Sequence, residues 1–123
     1  MMASPPLSSE DREHVLRQTA VLWEEWGPGQ NLFVTGGTGF FGCWLLETFA
    51  HANRSLRLGA RLAALTRDPE AFRRRMPHLA ADPAITLVRG DLRTFQADGC
   101  PREAAGGFDA VIHAATGAVA AFP

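Results

Sequence analysis

The chain contains neither tyrosine nor lysine; its twelve basic residues are all arginine, set against thirteen acidic ones. Without lysine there is no Gly-Lys-Ser/Thr ending, and a Walker-type phosphate loop is excluded. The net charge of -1 leaves no basic footprint for nucleic acid or an anionic membrane. Cys43 and Cys100 are the only cysteines. They are too few and too far apart for a disulfide framework or a metal site, so both read as structural or incidental and no metal is expected. No apolar run approaches the roughly 18 residues of a membrane span. The start, MMASPPLSSEDRE, also lacks a basic segment followed by an apolar one. These absences predict a cytoplasmic protein with no membrane and no nucleic acid among its partners. Its 123 residues suit one domain, able to bury about two thirds of the surface that its unfolded chain exposes.

Glycine is concentrated in one place. Gly36, Gly37, Gly39 and Gly42 follow the apolar run Leu32, Phe33, Val34 and precede the apolar stretch Cys43, Trp44, Leu45, Leu46. The pattern reads as a buried parallel strand, a glycine turn opened by Thr35, and a helix from about Phe41. Lacking a Cβ, Gly36 and Gly37 suit a tight turn, Gly39 close approach to a phosphate, and Gly42 close packing of helix on strand. The amides at the helix start, with roughly half a positive charge, would face the ligand. Two registers fit: Gly37, Gly39 and Gly42 as G-x-G-x-x-G, or Gly36, Gly39 and Gly42 as T-G-x-x-G-x-x-G. Either one, set between an apolar strand and an apolar helix start, points to a bound dinucleotide diphosphate.

Along the rest of the chain, residues 1–7 read as a tail in which Pro5 and Pro6 oppose regular structure. Ser8, with Asp11 three positions on, caps a helix predicted to reach about Trp26. Val15, Leu16, Thr19, Leu22, Trp23 and Trp26 form its inward face, packed on the sheet edge or a neighbouring subunit. The crossover helix is predicted to end near His51, with residues 52–61 as a loop bearing Arg54, Arg57 and Arg61 on a solvated face. Leu62 to Leu65 is the second strand, Pro69 to about Met76 a helix with Arg73, Arg74 and Arg75 outward, Ala84 to Val88 the third strand, and Phe108 to His113 the fourth. Strand two ends in Arg67 and Asp68, where dinucleotide folds meet the adenosine ribose. A carboxylate there favours NAD, and an arginine the 2′-phosphate of NADP. Arg67 favours NADP, while Asp68 with Pro69 behind it reads as a helix cap. His113 has no sequence neighbour to move a proton with, and reads as a core or supporting residue.

The segments TGGTGFFG (Thr35 to Gly42), GDL (Gly90 to Leu92) and VIHAA (Val111 to Ala115) resemble the N-terminal half of extended short-chain dehydrogenases, the branch of NAD-dependent epimerases and dehydratases. The resemblance covers about Asn31 to Thr116. It implies an α/β fold: a Rossmann-like doubly wound parallel sheet, here about four strands in the order 3-2-1-4, with the N-terminal helix as an addition. It further implies coenzyme contacts at Gly36, Gly39, Phe40, Phe41, Gly42 and Arg67. Asp91 would accept from the adenine amino group, as suits an acceptor-only side chain, and Leu92 would pack on the adenine. Ala114, Ala115 and Thr116 would leave room for the ribose or nicotinamide half.

Family members of this kind run to about twice this length or more and work through a Ser or Thr and a Tyr-x-x-x-Lys pair. Neither Tyr nor Lys occurs here. The expectation is therefore residues 8–123 as an NAD(P)-binding domain truncated before the catalytic and substrate-binding half, inactive alone and with no catalytic residue of its own. Its parent would be an epimerase, dehydratase or reductase acting on a nucleotide-sugar. A non-catalytic NAD(P)-sensing module is the alternative, needing the same glycines without the Tyr and Lys. Strand four would be an apolar edge on which two copies could form a homodimer.

Overall fold

The computed structural model describes residues 8–26, 29–36, 40–91 and 108–113, with backbone only at Phe40 and Phe41. In chain order the elements are α1 (Ser9–Trp26), β1 (Asn31–Thr35), α2 (Phe40–Leu56), β2 (Arg61–Thr66), α3 (Pro69–Arg75), α4 (Pro77–Ala80), β3 (Ile85–Arg89) and β4 (Ala110–His113). The four strands are all parallel and stand in the order β3-β2-β1-β4, the order the sequence predicts. Among the described residues no helix is long and apolar enough to cross a membrane.

Alternate residues of a strand point to opposite faces, and both faces of the two central strands are apolar. On one face Leu32, Val34, Leu62, Ala64 and Ile85 meet Leu46, Phe49 and Ala50 of α2, Phe72 of α3 and Leu79 of α4. On the other, Phe33, Ala63, Leu65 and Val88 form a second cluster, with the ring of Phe108 5.0 Å from that of Phe33. Burial on both sides explains why β1 and β2 show no polar alternation. The outer strand β4 differs: Val111 is 61% exposed.

Helix α1 packs on α2 rather than on the sheet edge. Its contact is a narrow stripe of Leu16, Trp23 and Trp26, with Trp23 edge-on to Phe49 at 6.3 Å. The Trp23 indole N–H donates to Thr19 Oγ1, and Glu13 pairs with His51 of α2 at 2.8 Å. Leu22 does not belong to the stripe. It is 66% exposed, because a helix lying on one other helix buries a thinner band than one lying on a sheet.

Helix α2 runs on to Leu56, past its predicted end near His51, because Asn53 ties its last turn to β2. The Asn53 side chain accepts from the Ala60 N–H at 3.0 Å and donates to the Ala60 carbonyl at 3.1 Å, like one more rung of a ladder. Leu58 N–H closes back on the Asn53 carbonyl, with Arg57 in the left-handed region at φ 51°. Arg54 is not simply solvated, since it pairs with Asp82 at 3.6 Å. Replacing Asn53 with alanine orphans both polar groups of Ala60, a buried residue. We expect a loss of about 1–3 kcal/mol in urea unfolding.

The sequence reading of Asp68 as a cap is realised. Its carboxylate accepts from the Ala71 N–H at 3.0 Å and Pro69 opens α3. Glu70, in the same first turn, has its carboxyl held below the ordinary value by a backbone hydrogen bond and then by Arg89 of β3. The Glu70–Arg89 pair is therefore intact at neutral pH and dissolves as pH falls through that lowered value.

Candidate functional site

Parallel strands put all their carboxyl ends on one side of the sheet. The register aligns Thr35 with Leu65 and with His113, and Thr66 with Arg89. Just beyond this row stand Gly36 after β1, Arg67 after β2 and Asp91 two residues after β3. The chain order of the sheet reverses between β1 and β4. In open α/β sheets ligands bind at such a switch point, outside the carboxyl ends of the strands.

The turn leaving β1 starts at Gly36 with φ 75°, a left-handed conformation that costs an L side chain about 1–2 kcal/mol. Four residues on, α2 begins at Phe40, and Gly42 is buried in its first turn. Both α1 and α3 carry acidic residues in their first turns, whereas α2 carries none. The positive end of α2 is thus left uncompensated by its own side chains, which fits a bound anion.

Arg67 is exposed and its carbonyl accepts from Arg89 at 3.5 Å. Asp68 beside it is committed to α3. Asp91 is half-buried just past Gly90, whose N–H donates to the Thr66 carbonyl at 3.0 Å and so joins the ends of β2 and β3. The structure therefore brings Gly36, Gly42, Arg67 and Asp91 to one edge, together with the backbone of Phe40 and Phe41. Gly39, Leu92, Ala114, Ala115 and Thr116 lie outside the described residues.

A model of the NAD dependent epimerase/dehydratase family matches residues 32–122. The chain belongs to that family. Comparison with curated proteins and with solved structures gave no match. Membership in this NAD dependent family implies a nicotinamide dinucleotide as the coenzyme, and the glycine turn and acid-free helix start suit its diphosphate.

One contact at this edge escaped the sequence. Thr35 Oγ1 lies 2.6 Å from His113 Nδ1. The two residues are 78 positions apart, and only the pairing of β1 with β4 makes them neighbours. His113 is exposed at the strand end rather than in the core.

Proposed function

We propose that this chain is the coenzyme-binding part of an NAD(P)-dependent epimerase, dehydratase or reductase acting on a nucleotide-sugar or related substrate. Gly36, Gly39 and Gly42, with the backbone at Phe40 and Phe41, hold the diphosphate. Arg67 meets the adenosine ribose, Asp91 and Leu92 receive the adenine, and Ala114, Ala115 and Thr116 flank the nicotinamide half. The observation that carries the reading is Gly36, held at φ 75° just after β1 and four residues ahead of the start of α2. Bound there, the coenzyme supplies a hydride acceptor and donor for the substrate carbon. The chain's own residues bind and orient it, and with neither tyrosine nor lysine they offer no acid-base pair of the family's type. We therefore expect binding without turnover.

The same lack of Tyr and Lys favours a second reading, a non-catalytic NAD(P)-sensing module. A Tyr-x-x-x-Lys encoded in frame beyond residue 123 decides for the enzyme. Association of two copies along β4 is supported by the exposure of Val111.

Calorimetric titration with NADPH and NADH tests the coenzyme reading, and a folded chain that binds neither overturns it. The preference between them rests on Arg67, because Asp68 Oδ1 already accepts from the Ala71 N–H at the start of α3. Charge-assisted bonds from a guanidinium to a phosphate contribute about 1.5–3 kcal/mol each. Arg67→Ala should weaken NADPH about tenfold or more while leaving NADH within about twofold. Equal losses for the two coenzymes would remove Arg67 from the 2′-phosphate.

A further inference from the structure

The turn from β2 into α3, which carries Arg67, is tied down at several points. The Asp68 N–H donates to Thr66 Oγ1 at 3.3 Å, the Asp68 carboxylate accepts from the Ala71 N–H, and the Thr66 carbonyl accepts from the Gly90 N–H just after β3. None of these three bonds is made by Arg67 itself. Arg89 adds one that is. It closes β3 in register with Thr66, its Nη1 donates to the Arg67 carbonyl at 3.5 Å, and its Nη2 donates to the Glu70 carboxylate in the first turn of α3. One planar guanidinium thus spans the end of β3, the turn and the start of α3. With its carboxyl held below the ordinary value, first by a backbone hydrogen bond and then by Arg89, Glu70 is charged at neutral pH.

We propose that Arg89 is a positioning residue for the 2′-phosphate of NADP: it braces the turn between β2 and α3 so that Arg67 is presented in one place. The inference rests on the coenzyme reading above and adds to it a residue from another strand. Arg89 acts through Arg67, whose backbone it holds. An arginine on a loose turn must be ordered as the phosphate arrives, and that ordering subtracts from affinity. Exposed ion pairs add little to global stability, so the brace should show in the choice of coenzyme rather than in the unfolding temperature.

The test is a double-mutant cycle read by fluorescence titration with NADPH and NADH, with thermal unfolding and amide exchange recorded beside it. Arg89→Ala should weaken NADPH binding about fivefold, change NADH binding by about twofold or less and move the unfolding temperature by no more than about 2 °C. Exchange at the Asp68 amide should quicken. Arg89→Met keeps an apolar stem without a donor and should match alanine, which separates the brace from lost stem packing. The diagnostic variant is the double one. With Arg67→Ala in place Arg89 has nothing left to position, so adding Arg89→Ala should change NADPH binding by no more than about twofold. Additive losses, equal losses for the two coenzymes, or an Asp68 amide that exchanges as in the parent chain overturn the proposal and leave the coenzyme reading intact. Tighter NADPH binding by Glu70→Gln does the same, since Glu70 would then compete with the phosphate for arginine instead of anchoring the brace. A parent chain that binds NADH but no NADPH overturns the proposal alone, and one that binds neither overturns both.

Discussion

Gly36→Val is expected to cost about a hundredfold in affinity for NADPH. Gly36 sits at φ 75°, where a β-branched side chain is a genuine outlier, so valine forces the backbone into another region at the first residue after β1. Moving that peptide re-aims the amides ahead of α2. Each lost hydrogen bond to a charged oxygen removes about 1.5–3 kcal/mol, so one or two account for the expected loss. Asparagine visits the left-handed region more readily than other side chains. Gly36→Asn should therefore fall between the parent and the valine variant, losing about tenfold. This order is a signature of backbone conformation, because asparagine and valine differ little in bulk. If valine binds NADPH within threefold of the parent, the left-handed glycine is not what holds the diphosphate.

Local pattern made much of this architecture readable. Leu32 to Val34 and Leu62 to Leu65 are apolar on both parities, which only a sheet covered on both faces accommodates, and the glycines between Thr35 and Cys43 mark where strand becomes helix. Asp68 before Pro69 announced its cap. What the pattern could not carry was anything set by a distant partner. Leu22 has the spacing of the buried stripe, yet it is exposed because α1 rests on a helix and not on a sheet. The end of α2 was placed too early because Asn53 looks like a loop residue until Ala60 stands beside it. The Thr35–His113 contact depends on which strand neighbours β1.

The second large effect comes from another such distant pair. Replacing His78 with alanine should cost about 3 kcal/mol. Glu47 points from α2 into the packed layer with its side chain only 4% exposed, and its carboxylate is hydrogen-bonded to the imidazole of His78 on α4. Breaking a buried pair from one side leaves an uncompensated group and typically costs about 3–5 kcal/mol. The low end applies here because His78 remains 31% exposed and water can partly replace it. Removing both partners is a different matter, since apolar side chains of similar volume avoid the desolvation that the pair itself incurs. Glu47→Leu with His78→Leu should therefore be much more stable than His78→Ala alone in urea unfolding. The loss in the single variant should also loosen α4 from α2, visible as faster amide exchange at Leu79 and Ala80. A His78→Ala chain within about 0.5 kcal/mol of the parent would mean that Glu47 is satisfied without it. Because α2 also begins at the glycine turn, a displaced Glu47 should be felt at the coenzyme edge as weaker NADPH binding, through the helix that the two sites share.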